Sequence, residues 1–130
     1  MRKYLFSGLA IAWTITITAL SLVSLKGVVE FGFSFGDKLA HGFVYFIFTI
    51  FWFFAFSRGI TNTFFQKNAI IASAIFAILY GICIEIMQGT LVANRQCDWQ
   101  DAVANTIGTI LAIVLIKYIV VNNRKLKTEN

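Results

Sequence analysis

Proline is absent from this chain, histidine occurs once, cysteine twice, and charged residues make up only 13% of its 130 positions. Without proline, no position lacks a backbone N–H or forces a kink, so long helices meet no obstacle. Two cysteines are too few for a disulfide framework; Cys83 falls inside an apolar run and Cys97 in a loop. His41 is the sole imidazole available for proton transfer. The chain also lacks a G-x-S-x-G nucleophile elbow, an H-E-x-x-H pair and a glycine-rich phosphate loop. Eleven basic residues against six acidic ones give a net charge of +5, but they form no patch on a soluble fold, so nucleic acid is not an expected partner.

Apolar residues, in contrast, make up 58% of the chain, and 14 of them are phenylalanine. A soluble domain of this size could not hide so much apolar surface. Four runs approach the ~20 residues that a helix needs to cross ~30 Å of hydrocarbon: residues 4–25, 39–56, 69–87 and 102–121. Inside lipid the backbone must satisfy its own hydrogen bonds, which selects helices. The expected fold is therefore all-α, an integral membrane four-helix bundle spanning residues 1–130 as a single domain. The first run follows a basic "MRK" and contains Ala19-Leu20-Ser21, which resembles a cleavage site, as in a signal peptide, but it exceeds the ~7–15 residues of a usual apolar core and reads as a retained helix.

Four spans place the two ends and the loop "SRGITNTFFQKN" on one side. That side holds Arg2, Lys3, Arg58, Lys67, Arg124, Lys125 and Lys127, whereas Lys26, Lys38 and Arg95 lie on the other. By the positive-inside rule both termini are cytoplasmic. The acids divide in the opposite sense: Glu30, Asp37, Asp98 and Asp101 lie in or beside the outward loops, and Glu85 lies near the outward end of span three.

Their positions within the helices matter more than the asymmetry. Asp37, His41 and Tyr45 recur every four residues and share a helical face. In "YGICIEIMQG", Gly81, Glu85 and Gln88 share another; a charge at a helix centre costs ~2.5–3.5 kcal/mol to insert, so Glu85 should face protein or a watery cavity. Asp101, Asn105, Gly108 and Ala112 form a third stripe, where Gly108 and Ala112 make a small-xxx-small surface for close helix packing. Asp98 and Asp101 have roughly the spacing of a capping box. Topology brings Asp37, Lys38, His41, Tyr45, Glu85, Gln88, Arg95, Asp101 and Asn105 to one leaflet, as a polar pocket opening outward. Arg95 is the natural partner for Glu85 or Asp101, because a guanidinium binds carboxylate in bidentate fashion.

The stretches "DKLAHGFVYF", "GICIEIMQG" and "NRQCDWQDAVANTIGTILA" resemble the VanZ-like family of small bacterial membrane proteins, through its D-K-x-x-H, E-x-x-Q and R-x5-D-x-x-A-N-x-x-G motifs. The resemblance covers roughly residues 35–112. It implies a multi-pass protein of the bacterial inner membrane, with some relatives linked to resistance to glycopeptides such as teicoplanin. Its motif residues here are Asp37, Lys38, His41, Glu85, Gln88, Arg95, Asp101, Asn105 and Gly108.

Three functions compete. The first is a pocket that binds or handles a membrane lipid headgroup, a lipid-linked cell-wall precursor or a membrane-lodged glycopeptide, with Lys38 and Arg95 on phosphate. The second is an intramembrane acid/base enzyme acting on a phosphate- or glycosyl-bearing lipid through His41. The third is a scaffold subunit, for which four small helices could form a homo-oligomer. No cofactor and no metal is expected; the alternative is a divalent ion on Asp37, Glu85 and Asp101, since hard cations favour carboxylate oxygen.

Overall fold

A computed structural model describes residues 2–23, 34–92 and 96–128. Among them are five α-helices and no strand: α1 (Arg2–Leu22), α2 (Ser34–Phe54), α3 (Thr63–Lys67), α4 (Ala69–Leu91) and α5 (Trp99–Thr128). A π-helical turn, Ala55–Gly59, ends α2. Four helices are long and apolar enough to cross a membrane among the described residues, over Tyr4–Leu22, Phe35–Gly59, Ala69–Leu91 and Trp99–Val120.

Local chemistry explains where these helices begin. Asp98 stands immediately before α5, and its Oδ1 accepts the Gln100 N–H at 2.9 Å, satisfying one of the free donors at the helix start. The expected capping box is only half present, because Asp101 turns its carboxylate to Lys38 and not back to the cap. Asn62 caps α3 in the same way through the Phe64 N–H at 2.9 Å. Asp37 sits in the first turn of α2, which starts at Ser34, so Asp37, Lys38 and His41 are all helical. At its far end α5 runs eight residues past its membrane segment, carrying the basic tail sequence out of the bilayer on a helix.

The second helix is central and packs against α1, α4 and α5. Its contact with α5 is backbone to backbone. A Cβ built on Gly108 would lie within 2.8 Å of the Gly42 carbonyl carbon and 3.0 Å of its Cα, closer than real Cβ atoms come to backbone. The small-residue stripe of α5 thus serves α2, and Thr49 and Thr109 hydroxyls meet at 3.3 Å further along the seam.

Between α1, α2 and α4 the core is aromatic. Phe48, fully buried, stacks on Tyr80 and Phe76 at centroid separations of 5.1 and 5.7 Å, and Trp52 meets Phe76 edge-on at 4.5 Å. The indoles also tie α1 in place: Trp13 Nε1 donates to the Val44 carbonyl at 3.2 Å and Trp52 Nε1 to Thr14 Oγ1 at 3.1 Å. Cross-helix bonds of this kind contribute ~0.6 kcal/mol each in lipid. On the outer surface Leu5, Ile15, Ile71, Ile75, Leu79, Ile107 and Val114 are exposed. In water that belt would promote aggregation; against acyl chains it carries no penalty.

Candidate functional site

At the end of the bundle opposite the chain termini, side chains from α2, α4 and α5 converge. The first turns of α2 present Asp37, Lys38 and His41, the last turns of α4 present Glu85 and Gln88, and the first turns of α5 present Asp101 and Asn105. Burial is deep for helix positions so polar: Glu85 is 2% exposed, Asp101 5% and Asn105 2%.

The ammonium of Lys38 lies between two carboxylates, 2.5 Å from Asp98 Oδ2 and hydrogen-bonded to Asp101 Oδ1. This bridge ties α2 to the start of α5. The Lys38 hydrogen bond, helped by the Gln100 N–H, holds the Asp98 carboxyl below the usual carboxylate range. Lys38 was expected to face a ligand phosphate; its Nζ instead bonds carboxylates of its own chain, which removes it as a free anion contact.

His41 occupies the centre. Its Nδ1 lies 3.2 Å from Asn105 Oδ1 and 3.8 Å from Glu85 Oε1. Its Nε2 faces Asp101 Oδ2 at 3.6 Å and Asp37 Oδ1 at 3.9 Å. One imidazole is therefore ringed by carboxylates from three helices. Gly81 makes room: a Cβ there would stand 3.1 Å from the Tyr45 ring and 3.3 Å from Asn105 Nδ2, so a larger residue would push on both side chains.

A cavity of about 140 Å³ opens beside the cluster, between α1, α2 and α4. Its polar lining is Ser21, Asp37, His41, Tyr45 and Gln88, and its apolar lining includes Ile17, Leu20, Val44 and Ile84. Gln88 also donates to the Ser21 carbonyl at 3.0 Å, closing α1 onto α4. Tyr45 is 3% exposed, and its hydroxyl has no hydrogen-bond partner among the described residues. A larger cavity of about 500 Å³, lined by Phe56, Phe64, Phe65, Ile71 and Leu79, is apolar and holds no ionisable side chain.

Of the expected site residues, Asp37, Lys38, His41, Glu85, Asp101 and Asn105 form one cluster, and Tyr45 and Gln88 line the adjoining cavity. Arg95, expected to pair with Glu85 or Asp101, lies outside the described residues. Gly108 and Ala112 are buried in the α5 seam. In the sequence Asp98 reads only as helix punctuation. The signal that could have found its second role is its distance of three residues from Asp101, which lets one ammonium reach both acids.

Apart from Arg95, the residues of this arrangement and of the α2–α5 seam are those of the three motifs that suggested a family. A family model described as VanZ/LLP1 matches residues 4–121. The chain belongs to the VanZ-like family. The match takes in all four spans, whereas the motifs alone covered residues 35–112, so α1 lies within the VanZ-like unit. With four membrane-crossing helices, this VanZ-like chain is a multi-pass membrane protein. Comparison with curated proteins and with solved structures gave no match.

Proposed function

We propose that this VanZ-like protein binds a membrane-resident amphiphile in the cavity between α1, α2 and α4. The observation that carries this reading is the cavity's mixed lining: Asp37, His41, Tyr45 and Gln88 beside Ile17, Leu20, Val44 and Ile84. Such a wall suits a molecule with an apolar chain and a head rich in hydroxyl, amide or amine donors. Lipid headgroups, lipid-linked envelope precursors and glycopeptides lodged in the membrane all share that chemistry. Binding either of the last two would alter tolerance to teicoplanin. The orientation that goes with this reading puts both termini in the cytoplasm of a bacterial inner membrane, supported by Arg58, Lys67 and Lys117 toward the terminal side of the bundle.

The test is a binding titration of the purified protein in nanodiscs with a fluorescent polyprenyl-linked sugar and with teicoplanin. Asp37→Asn keeps the shape and removes the charge, and Tyr45→Phe removes only the hydroxyl. Each is expected to weaken binding about tenfold, or ~1.4 kcal/mol. Wild-type affinity in both variants would rule out this cavity.

A second reading, an acid/base enzyme acting on the same class of lipid, is favoured by the carboxylates on both nitrogens of His41. His41→Asn separates the two. A binder keeps most of its affinity for the lipid, while an enzyme loses turnover and leaves the lipid unconverted.

A further inference from the structure

The two sides of the His41 ring are not equivalent. On one side Asn105 Oδ1 and Glu85 Oε1 stand 3.2 and 3.8 Å from Nδ1. Asn105 Oδ1, at hydrogen-bonding distance, can accept from an Nδ1–H. That leaves a lone pair on Nε2, which faces Asp101 Oδ2 at 3.6 Å and Asp37 Oδ1 at 3.9 Å. Lys38 takes the other oxygen of Asp101 and so does not stand between the three atoms. Ligand atoms of Asp37, His41 and Asp101 all lie within 4.8 Å of one another. Three lone-pair donors converging on one point are stabilised by a positive charge among them, which a bound cation supplies.

We propose that Asp37, His41 and Asp101 bind one divalent first-row metal ion, of the Mn²⁺ or Zn²⁺ class. One imidazole with two carboxylates suits such ions better than Ca²⁺ or Mg²⁺, which take oxygen alone. The Nδ1–H bond to Asn105 is the outer support that a metal-bound histidine needs to fix its tautomer and ring plane. Asp101 is anchored from its other oxygen by Lys38, while Asp37, with 44% of its side chain exposed, is free to close on the ion. A second observation concerns the adjoining cavity: the buried hydroxyl of Tyr45, without a hydrogen-bond partner among the described residues, lines the space that Asp37 and His41 border, so a polar group held there would supply its missing bond. The sequence alone predicts no metal, with an ion on Asp37, Glu85 and Asp101 as the alternative; the proposed ion takes His41 in place of Glu85.

The ion does not depend on the amphiphile reading, and its test contains no lipid ligand. Tag-free full-length protein in detergent is titrated with Mn²⁺ and followed by electron paramagnetic resonance. One ion per chain is expected, displaced by Zn²⁺, with a ¹⁴N hyperfine coupling on the bound Mn²⁺. Because His41 is the sole histidine, an imidazole coupling can come from nowhere else in the chain. Asp37→Asn, at the exposed end of the set, should weaken binding at least tenfold without threatening the fold. Failure of the wild-type protein to bind Mn²⁺ stoichiometrically would overturn the proposal, as would bound Mn²⁺ without nitrogen coupling.

Discussion

Lys38 shows how a charge survives near the end of a membrane helix. Alone, its ammonium would need water; between Asp98 and Asp101 it gains two charge-assisted hydrogen bonds and joins α2 to α5. The same bond gives the fold a pH dependence whose sign follows from Asp98, the partner outside the spans. Its carboxyl is depressed by the Lys38 hydrogen bond and then by the Gln100 N–H. A group whose folded value lies below its unfolded one, near ~3.9 for aspartate, stabilises fully above that value and loses its contribution as pH falls through the folded value. Asp98→Asn should therefore melt below wild type at pH 7, and the gap should close as pH drops below about 4. Thermal unfolding in detergent, followed by circular dichroism at a series of pH values, checks this; a gap of constant size from pH 7 to pH 3 would remove Asp98 from the pH response. Site residues of this kind were legible in the sequence because each is costly in lipid and so stands out. Asp98 was the harder case, since a helix start explains an aspartate there without any partner.

At the scale of the helix pair, the site depends on how closely α2 and α5 approach. Gly42 and Gly108 face each other backbone to backbone, but they are not equivalent. A Cβ on Gly42 would meet the Ala104 carbonyl oxygen at 3.4 Å, an ordinary contact, while one on Gly108 would run into the Gly42 backbone. No rotamer change relieves the second clash, so the helices must separate. Gly108→Ala should cost ~1–3 kcal/mol, in the range of overpacked cores, and Gly42→Ala clearly less. Moving the helices apart also parts Asp37 and His41 from Asp101 and Asn105, so Gly108→Ala should lose Mn²⁺ binding even where it folds. Thermal melts of the two variants side by side would decide it, and equal destabilisation would mean that α2 and α5 are looser than described. The small-residue stripe on α5 was visible in the sequence as a packing surface; its partner was not, because Gly42 lies beside His41 in a segment read for its ionisable residues. Helix ends were missed for a similar reason. Hydropathy marks where a helix is apolar, whereas α2 and α5 each begin with polar residues held by first-turn acids and a cap.

For the molecule as a whole, four spans and a shared end for the polar residues follow from hydropathy and alternation alone, which is why both were legible. Which side of the membrane that end faces is a separate question, and the two cysteines can answer it. Cys97 is exposed and precedes Asp98 and the membrane segment of α5, at the same end as the site, whereas Cys83 is exposed within the span of α4, on the lipid side. A polar reagent that stays in water reaches a thiol at the water boundary but not one surrounded by hydrocarbon. In right-side-out spheroplasts a membrane-impermeant maleimide should therefore label the protein. Cys83→Ala should leave labelling unchanged, and Cys97→Ala should abolish it. Labelling that appears only after lysis would place the His41 cluster on the cytoplasmic side. The cavity would then open to lipids of the inner leaflet, and exported envelope precursors and glycopeptides would drop out as ligands.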